Sequence, residues 1–406
     1  MSEVIPAGWV HKKLGDVAVL TMGQSPTSQT YNLDGIGLPF FQGKADFSSR
    51  KAIVRNWCSE PNKIAQAGSV LFSVRAPVGE VNIAPTDCCI GRGLAAISAK
   101  DADPEFLFQY LCHSKSQFEA VSQGSTFESI NGNELKEFLF LYPPLPEQQK
   151  IAIILSSVDD VIEKTRAQID KFKDLKTGMM QELLTQGIGH TEFKDSSVGR
   201  IPSSWVIKLL DEVARRGSGH TPSKSVDDYW NGDIQWVSLS DSSKLDRLYI
   251  TDTMKKISQL GVDNSSAVVH PGGTVIMSRD AGIGKSAILV SDMAVSQHFM
   301  AWICSTQLDN HFLYYLLQYW KPRFEAIAMG STIKTIGLPF FKDLEVPLPS
   351  VEEQRQIANT IKSIDILIFS LEEKKEALES TKKALMQDLL TGKVRVKVDS
   401  PDTVAA

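Results

Sequence analysis

Ile5-Pro6-Ala7-Gly8-Trp9-Val10-His11-Lys12-Lys13-Leu14 returns further along the chain as Ile201-Pro202-Ser203-Ser204-Trp205-Val206-Ile207-Lys208-Leu209-Leu210. The offset is 196, and eight of the fourteen positions from Ile5 to Ala18 are identical to their counterparts. Working outward, Gly23 and Pro26 match Gly219 and Pro222, and Arg75 falls opposite Arg279 at an offset of 204. Gly124-Ser125-Thr126 matches Gly330-Ser331-Thr332 at 206, as Met180-Gln181-Glu182-Leu183-Leu184-Thr185 matches Met386-Gln387-Asp388-Leu389-Leu390-Thr391. The ends of the two copies agree while their middles diverge. One architecture is therefore present twice, carrying two different surfaces.

The 406 residues are 42% apolar and 22% charged, the balance of a globular chain with real cores and enough length for two to three domains. No apolar run reaches the roughly 18 to 20 residues of a membrane span. Met1 to Val10 carries Glu3 and Pro6 rather than a basic-then-apolar leader. Five cysteines without a CxxC pair point to a reduced, cytoplasmic setting, with neither a disulfide framework nor a zinc site. A net charge of −5 argues against generic polyanion binding and leaves room for local basic surface.

Each copy divides again. Residues 1–146 and 201–349 hold short β-branched and aromatic runs broken by Gly, Pro, Asn and Asp. Gly68 to Val74 and Gly273 to Met277 read as strands, and Pro104 to Ser116 and Asn310 to Trp320 as helices, which makes each head an α+β globule. Residues 147–186 and 350–391 read as long helices, with 187–200 as a linker and 392–406 as a tail. The first seam is Ile151, Leu155, Val158, Ile162, Ile169, Phe172, Met179 and Leu183, broken by Thr165 and Lys176. The second is Ile357, Ile361, Ile364, Ile368, Leu371, Leu378, Leu385 and Leu389, broken by Lys375 and Lys382. Alternating steps of four and three are the pattern of a coiled coil. Gly187 and Gly392 stop the helices. Two similar halves commonly pack about a pseudo-twofold axis. That symmetry makes the helices antiparallel partners in a rod of roughly 57 Å, with a head expected at either end.

Basic residues gather in the divergent middles: Lys44, Arg50, Arg55, Arg75 and Arg92 in the first copy, and Lys244, Arg247, Arg279 and Lys285 in the second. Phosphate and base-edge contacts need such residues; solvated loop charge is the plain alternative. Ser125, Thr126, Ser331, Thr332 and Lys334 lie in small polar turns whose N–H groups suit a phosphate, unless the turns are ordinary ones. Ala281-Gly282-Ile283-Gly284-Lys285-Ser286 ends like a P-loop, but Arg279 stands where the first glycine belongs. Leu38-Pro39-Phe40-Phe41 only faintly suggests an amino-methyltransferase motif, without its Asn or Asp and without a GxG cofactor loop. No HExxH or GxSxG is present, so the sequence shows no catalytic constellation.

The paired Ile-Pro-x-x-Trp starts resemble those of the specificity subunit of type I restriction–modification systems. So do the Pro-x-x-x-Glu-Gln helix openings (Pro143 to Gln148 and Pro349 to Gln354) and the paired Leu-Leu-Thr helix ends, over essentially all of residues 1–392. The resemblance implies two target-recognition domains, each reading one half of a bipartite, asymmetric site in double-stranded DNA, with the helices setting the spacing. It implies a non-catalytic chain that binds no cofactor itself. S-adenosylmethionine, ATP and Mg would belong to partner subunits, two for modification and two for restriction. Docking would fall to Pro143, Glu147, Gln148, Pro349, Glu353 and Gln354. A coiled-coil adaptor whose heads bind protein rather than DNA is the rival reading.

Overall fold

In a computed structural model of the chain, described over residues 5–122, 129–330 and 334–398, the backbone forms two compact units. One comprises Met1–Arg166 with Glu373–Ala406, the other Ala167–Glu372. The division cuts each long helix near its middle instead of falling between head and helix. Each unit is thus a head plus half of both long helices.

In the first unit an antiparallel sheet runs in the order Ala18–Met22, Leu94–Ala99, Val70–Ser73, Val81–Ile83. Val70–Ser73 is buried at every residue, so it reads as a continuous apolar run rather than an alternating one. A second sheet, in the order Tyr31–Asn32, Trp57–Cys58, Leu38–Phe41, Cys88–Ile90, Ile64–Ala65, contains one parallel pairing, Phe40 with Cys89. Val10–Lys13 pairs with Leu139–Tyr142. Asp103 caps the helix Pro104–His113 by accepting from the Phe106 N–H at 2.9 Å, and proline occupies the first turn, where no N–H is needed. The helix ends at His113 and a second one, Lys115–Ser122, follows.

The second unit repeats this plan. Its first sheet runs Ala214–Ser218, Phe299–Cys304, Val275–Ser278, Ser286–Leu289, with Tyr249–Ile250 added at the edge. Its second runs Lys255–Ile257, Trp230–Val237, Met293–Val295, Val269–His270, again with one parallel pairing, Trp236 with Ala294. Val206–Leu209 pairs with Glu345–Leu348, and Asp309 caps Asn310–Tyr319. The expected linker is not irregular: Phe193–Ser196 and Gly199–Pro202 form a hairpin, with Gly199 in the left-handed region at its turn. Ile201 and Pro202, the repeat's opening residues, are thereby a strand.

The long helices are Leu145–Gln186 and Val351–Leu390. Ion pairs fix their direction within each unit. Asp159 meets Lys382 at 2.6 Å and Arg166 meets Glu379 at 3.7 Å in the first; Lys173 meets Glu372 at 2.7 Å and Lys176 meets Asp365 at 2.6 Å in the second. In each pair of bridges one partner number rises as the other falls, so the helices run antiparallel. Two of the expected seam breaks, Lys176 and Lys382, are therefore cross-helix ion pairs. Thr165 is buried and donates its hydroxyl to the Val161 carbonyl, and Lys375 pairs with Glu379 along its own helix.

Every seam residue is buried or half-buried, but not all against the partner helix. Ile169, Ile364 and Ile368, with Phe172, Met179 and Leu371, make an interhelical cluster in the second unit. Ile151, Leu155 and Leu389 instead join Phe72, Phe106 and Phe118 in the first head's core, and Ile357 and Ile361 join Trp302 and Phe312 in the second's. Near the helix ends, Met180, Leu184, Met386 and Leu390 are buried more deeply than the seam residues Met179, Leu183 and Leu385. The buried stripe turns by one residue there because those turns pack on a head's core, which a straight helix of 3.6 residues per turn serves better than a 3.5 repeat.

Candidate nucleic-acid interface

Hydrogen bonds past the end of the central strands define equivalent positions in the two heads. In the first, Val74 N–H donates to Gly93, Ser73 N–H to Glu80 and Gly79 N–H to Ser73; in the second, Arg279 N–H donates to His298, Ser278 N–H to Lys285 and Gly284 N–H to Ser278. This register corrects the sequence alignment. Arg279 is the counterpart of buried Val74, and Arg75 is the counterpart of Asp280. The two arginines do not share a position, because the true offset here is 205 rather than the 204 that matching the arginines implied.

The basic residues of the first head separate into two groups. Lys44 and Lys115 reach Glu80 at 2.5 and 2.9 Å. Burial raises the Glu80 carboxyl, but the two lysine hydrogen bonds outweigh it and hold it below its ordinary value. Arg50 is pinned between Glu105 and Asp159 and lies over the Phe108 ring. Lys44 and Arg50 are thus committed to carboxylates within the fold. Arg55 is exposed and donates to the Ala45 carbonyl at 2.6 Å. Arg75 and Arg92 are exposed and have no ion pair among the described residues. Next to Arg75 in sequence, Ala76 and Pro77 line a cleft of about 820 Å³ with Tyr31, Phe40, Gln42, Lys44, Asp46 and Asn56, Tyr31 and Phe40 being stacked at 4.6 Å.

In the second head, Lys244 pairs with Asp252, and Lys285 donates to the Ser242 carbonyl and hydroxyl at 3.1 Å. Arg247 and Lys334 are exposed. The Arg279 guanidinium is fixed by two backbone acceptors, Gln297 at 3.2 Å and Ile336 at 3.0 Å. Around it runs a polar chain: Thr221 donates to Gln297, the Gln297 side chain meets His298 at 3.4 Å, and His298 meets buried Asp280 at 2.7 Å. Asp280 also accepts from the Thr335 hydroxyl. No basic excess marks this chain in the sequence, so charge counting passed over it, as it passed over Gln42 and Asn56. Ser125, Thr126, Ser331 and Thr332 lie outside the described residues.

Among the described residues no group of three or more His, Cys, Asp or Glu side chains is placed to hold a metal ion, and no helix is long and apolar enough to cross a membrane. The five cysteines are unpaired; burial pushes the Cys88 and Cys89 thiols up to about 12.

The family model for the type I restriction modification DNA specificity domain matches residues 6–171 and again 202–380. The chain belongs to this family. Among curated relatives it is 31% identical over 317 residues to the type I restriction enzyme MjaVIII specificity subunit of Methanocaldococcus jannaschii, covering 73% of this chain and 72% of that one. The protein described as the MjaX specificity subunit of the same organism is 30% identical over 417 aligned positions, covering 97% and 95%. Among solved structures, a type I restriction–modification S subunit from M. genitalium has a TM-score of 0.62 at 15% identity, covering 96% of this chain and 97% of that one, which shows a shared fold.

The two motifs that bracket each head of this specificity-family chain meet inside it. Trp9 donates its indole N–H to Glu147 at 3.1 Å, and Trp205 donates to Glu353 at 3.2 Å. Gln148 and Gln354 are fully buried. Each accepts from the N–H of the aspartate that caps the head's helix, Asp103 at 2.9 Å and Asp309 at 2.8 Å, and donates to a proline carbonyl, Pro143 or Pro349. Pro143, Glu147, Gln148, Pro349 and Gln354 are buried and Glu353 is half-buried, so these six side chains build the frame from within. This corrects their assignment as docking contacts: the groups open to a partner there are their exposed neighbours Pro144, Leu145 and Gln149.

Proposed function

We propose that this chain is the DNA-reading subunit of a type I restriction–modification complex, each head contacting one half of a bipartite, asymmetric site while the helices set the interval between halves. The observation that carries this reading is the contrast at one strand-end position: a frame repeated bond for bond carries Arg75 and Arg92 in one head and Asp280 and Gln297 in the other. A surface that varies on a conserved frame is what reading two unlike half-sites requires. The duplicated frame offers the same docking surface twice, which fits two modification subunits, with two restriction subunits joining them. S-adenosylmethionine, ATP and Mg then belong to those partners, and the setting is cytoplasmic. No observation favours the adaptor reading without DNA readout.

The test is co-expression with the cognate modification subunit, followed by sequencing of modified bases in the host DNA and footprinting of the purified complex. One asymmetric two-part sequence with two protected patches is expected. Methylation without any shared sequence, or no footprint, overturns the reading.

A further inference from the structure

Within the reading above, the first unit carries an assignment of its own. Leu94 stands opposite Ser73 in the antiparallel ladder, and the Val74 N–H continues it by donating to Gly93 at 3.0 Å. The ladder ends there: Arg92 sits in the turn that the Leu94 N–H closes on the Gly91 carbonyl at 3.0 Å, and Arg75 follows Val74 at the strand end. A fold that needed these cations for itself would supply an anion. It does so for Arg50, which has two carboxylates, and for Lys44, which has Glu80. No described residue does so for Arg75 or Arg92. Arg75 directly precedes Ala76 and Pro77, which line the cleft of about 820 Å³ together with Asp46 and the amides of Gln42 and Asn56, and the turn that carries Arg92 is tied to the same wall by the Gly91 N–H donating to the Phe41 carbonyl at 2.9 Å. These are two exposed cations at the end of the sheet with no ion-pair partner among the described residues, near groups suited to base edges.

We propose that Arg75 and Arg92 are the guanine-reading residues of the first head, their guanidinium groups donating to the O6 and N7 acceptors of guanine in one half-site, and that the equivalent position of the second head does not read guanine. Arginine matches that acceptor pair with two hydrogen bonds. In the second head the matching bonds make Asp280 the counterpart of Arg75, and Gln297, in the turn before Phe299, the counterpart of Arg92. Asp280 would repel guanine's two acceptors, and its carboxylate is already held by His298 and Thr335.

The experiment uses the assembled complex of the full chain with its modification subunit and a duplex bearing the site mapped from modified host DNA. Each guanine is replaced in turn by 7-deazaguanine, which lacks N7. For wild type, at least one replacement in one half-site is expected to weaken binding about 5- to 150-fold, the range of a lost arginine–guanine contact. Arg75→Ala or Arg92→Ala should weaken binding to the unmodified duplex comparably and abolish sensitivity to that replacement, while Lys397→Ala retains both affinity and sensitivity. Unchanged melting temperatures of the variants exclude misfolding. Retained sensitivity to every 7-deazaguanine in both arginine variants overturns the assignment, as does a site without guanine. So does a loss spread evenly over all duplexes with a shallower salt dependence, which marks phosphate contacts. Failure of the wider reading looks different: no mapped site and no preferred duplex at all.

Discussion

The two units solve one structural problem with different side chains. In the first, Glu147 accepts from Trp9 and from Arg395, whose guanidinium reaches it at 2.5 and 2.9 Å and lies over the Trp9 ring. In the second, Glu353 accepts from Trp205, from the Ile188 N–H at 3.0 Å, and meets His190 at 2.8 Å, with that imidazole edge-on to the indole. Gly392 and Gly187, both in the left-handed region, precede Arg395 and His190, and a Cβ at either would strike Pro6 or Trp205. The indole, the carboxylate and the glycine turn are kept, while a guanidinium in one unit is replaced by an imidazole in the other. Geometry is what duplication preserved; the identity of the nitrogen partner is where the copies were free to differ.

The comparison is broken most forcefully in the cores. Leu155 and Ile361 hold equivalent positions and are fully buried. Leu155→Ala and Ile361→Ala are each expected to cost about 2–5 kcal/mol in urea unfolding. A large loss at only one of them would mean that the frames are not equivalent. Next come the helix ion pairs. Among the described residues, Asp365 is left with only the Tyr315 hydroxyl at 2.8 Å in Lys176→Met, whereas Asp159 keeps Gln109 at 2.6 Å and Arg50 at 3.4 Å in Lys382→Met. The first substitution should cost about 1–3 kcal/mol and the second measurably less; equal losses would contradict that ranking.

Acid should weaken the second unit more. Burial lowers the pKa of both His270 and His311, the nearby Lys362 lowering His311 further, while the first unit has only His113 shifted this way by burial. A lowered histidine binds its proton more weakly folded than unfolded. Its contribution is therefore complete above the ordinary value near 6.5 and is lost as pH falls through it toward the lowered one. The melting temperature should drop by a few degrees between pH 7.5 and 5.5, and His270→Gln should reduce that drop. The smallest expected effect sharpens the division among the basic residues: Arg50→Ala should cost about 1 kcal/mol of stability and change DNA binding by less than about 2-fold. A 10-fold binding loss would return Arg50 to the interface.

The long helices and the duplicated α+β plan were legible because Ile151 to Leu389 follow a helical period and because Ile5 and Ile201 open matching segments. The rotation of the buried stripe at Met180 and Met386 was not legible, since a seam read at 3.5 residues assumes a helix as partner and finds a globule instead. The hairpin at Phe193–Pro202 was hidden by its polar Lys194 and Asp195, whose backbones pair with Ile201 and Arg200. Counting charges found Arg75 and Arg92 together with Arg50 and Lys44, because a sequence does not reveal which cations already have carboxylates. Gln148 and Gln354 read as surface groups for the same reason: only the fold shows that both ends of each amide are spoken for.

The first unit is assembled from sequence that begins before residue 166 and resumes after 372, whereas the second is one uninterrupted stretch. Met386, Leu389 and Leu390, which complete the core around Leu14, Phe72 and Leu155, are synthesised only after the whole of the second unit. Translation therefore finishes the later half first, and the amino-terminal half waits with an apolar face uncovered. A nascent chain stalled between residues 372 and 386 would hold one complete half and one in need of a chaperone.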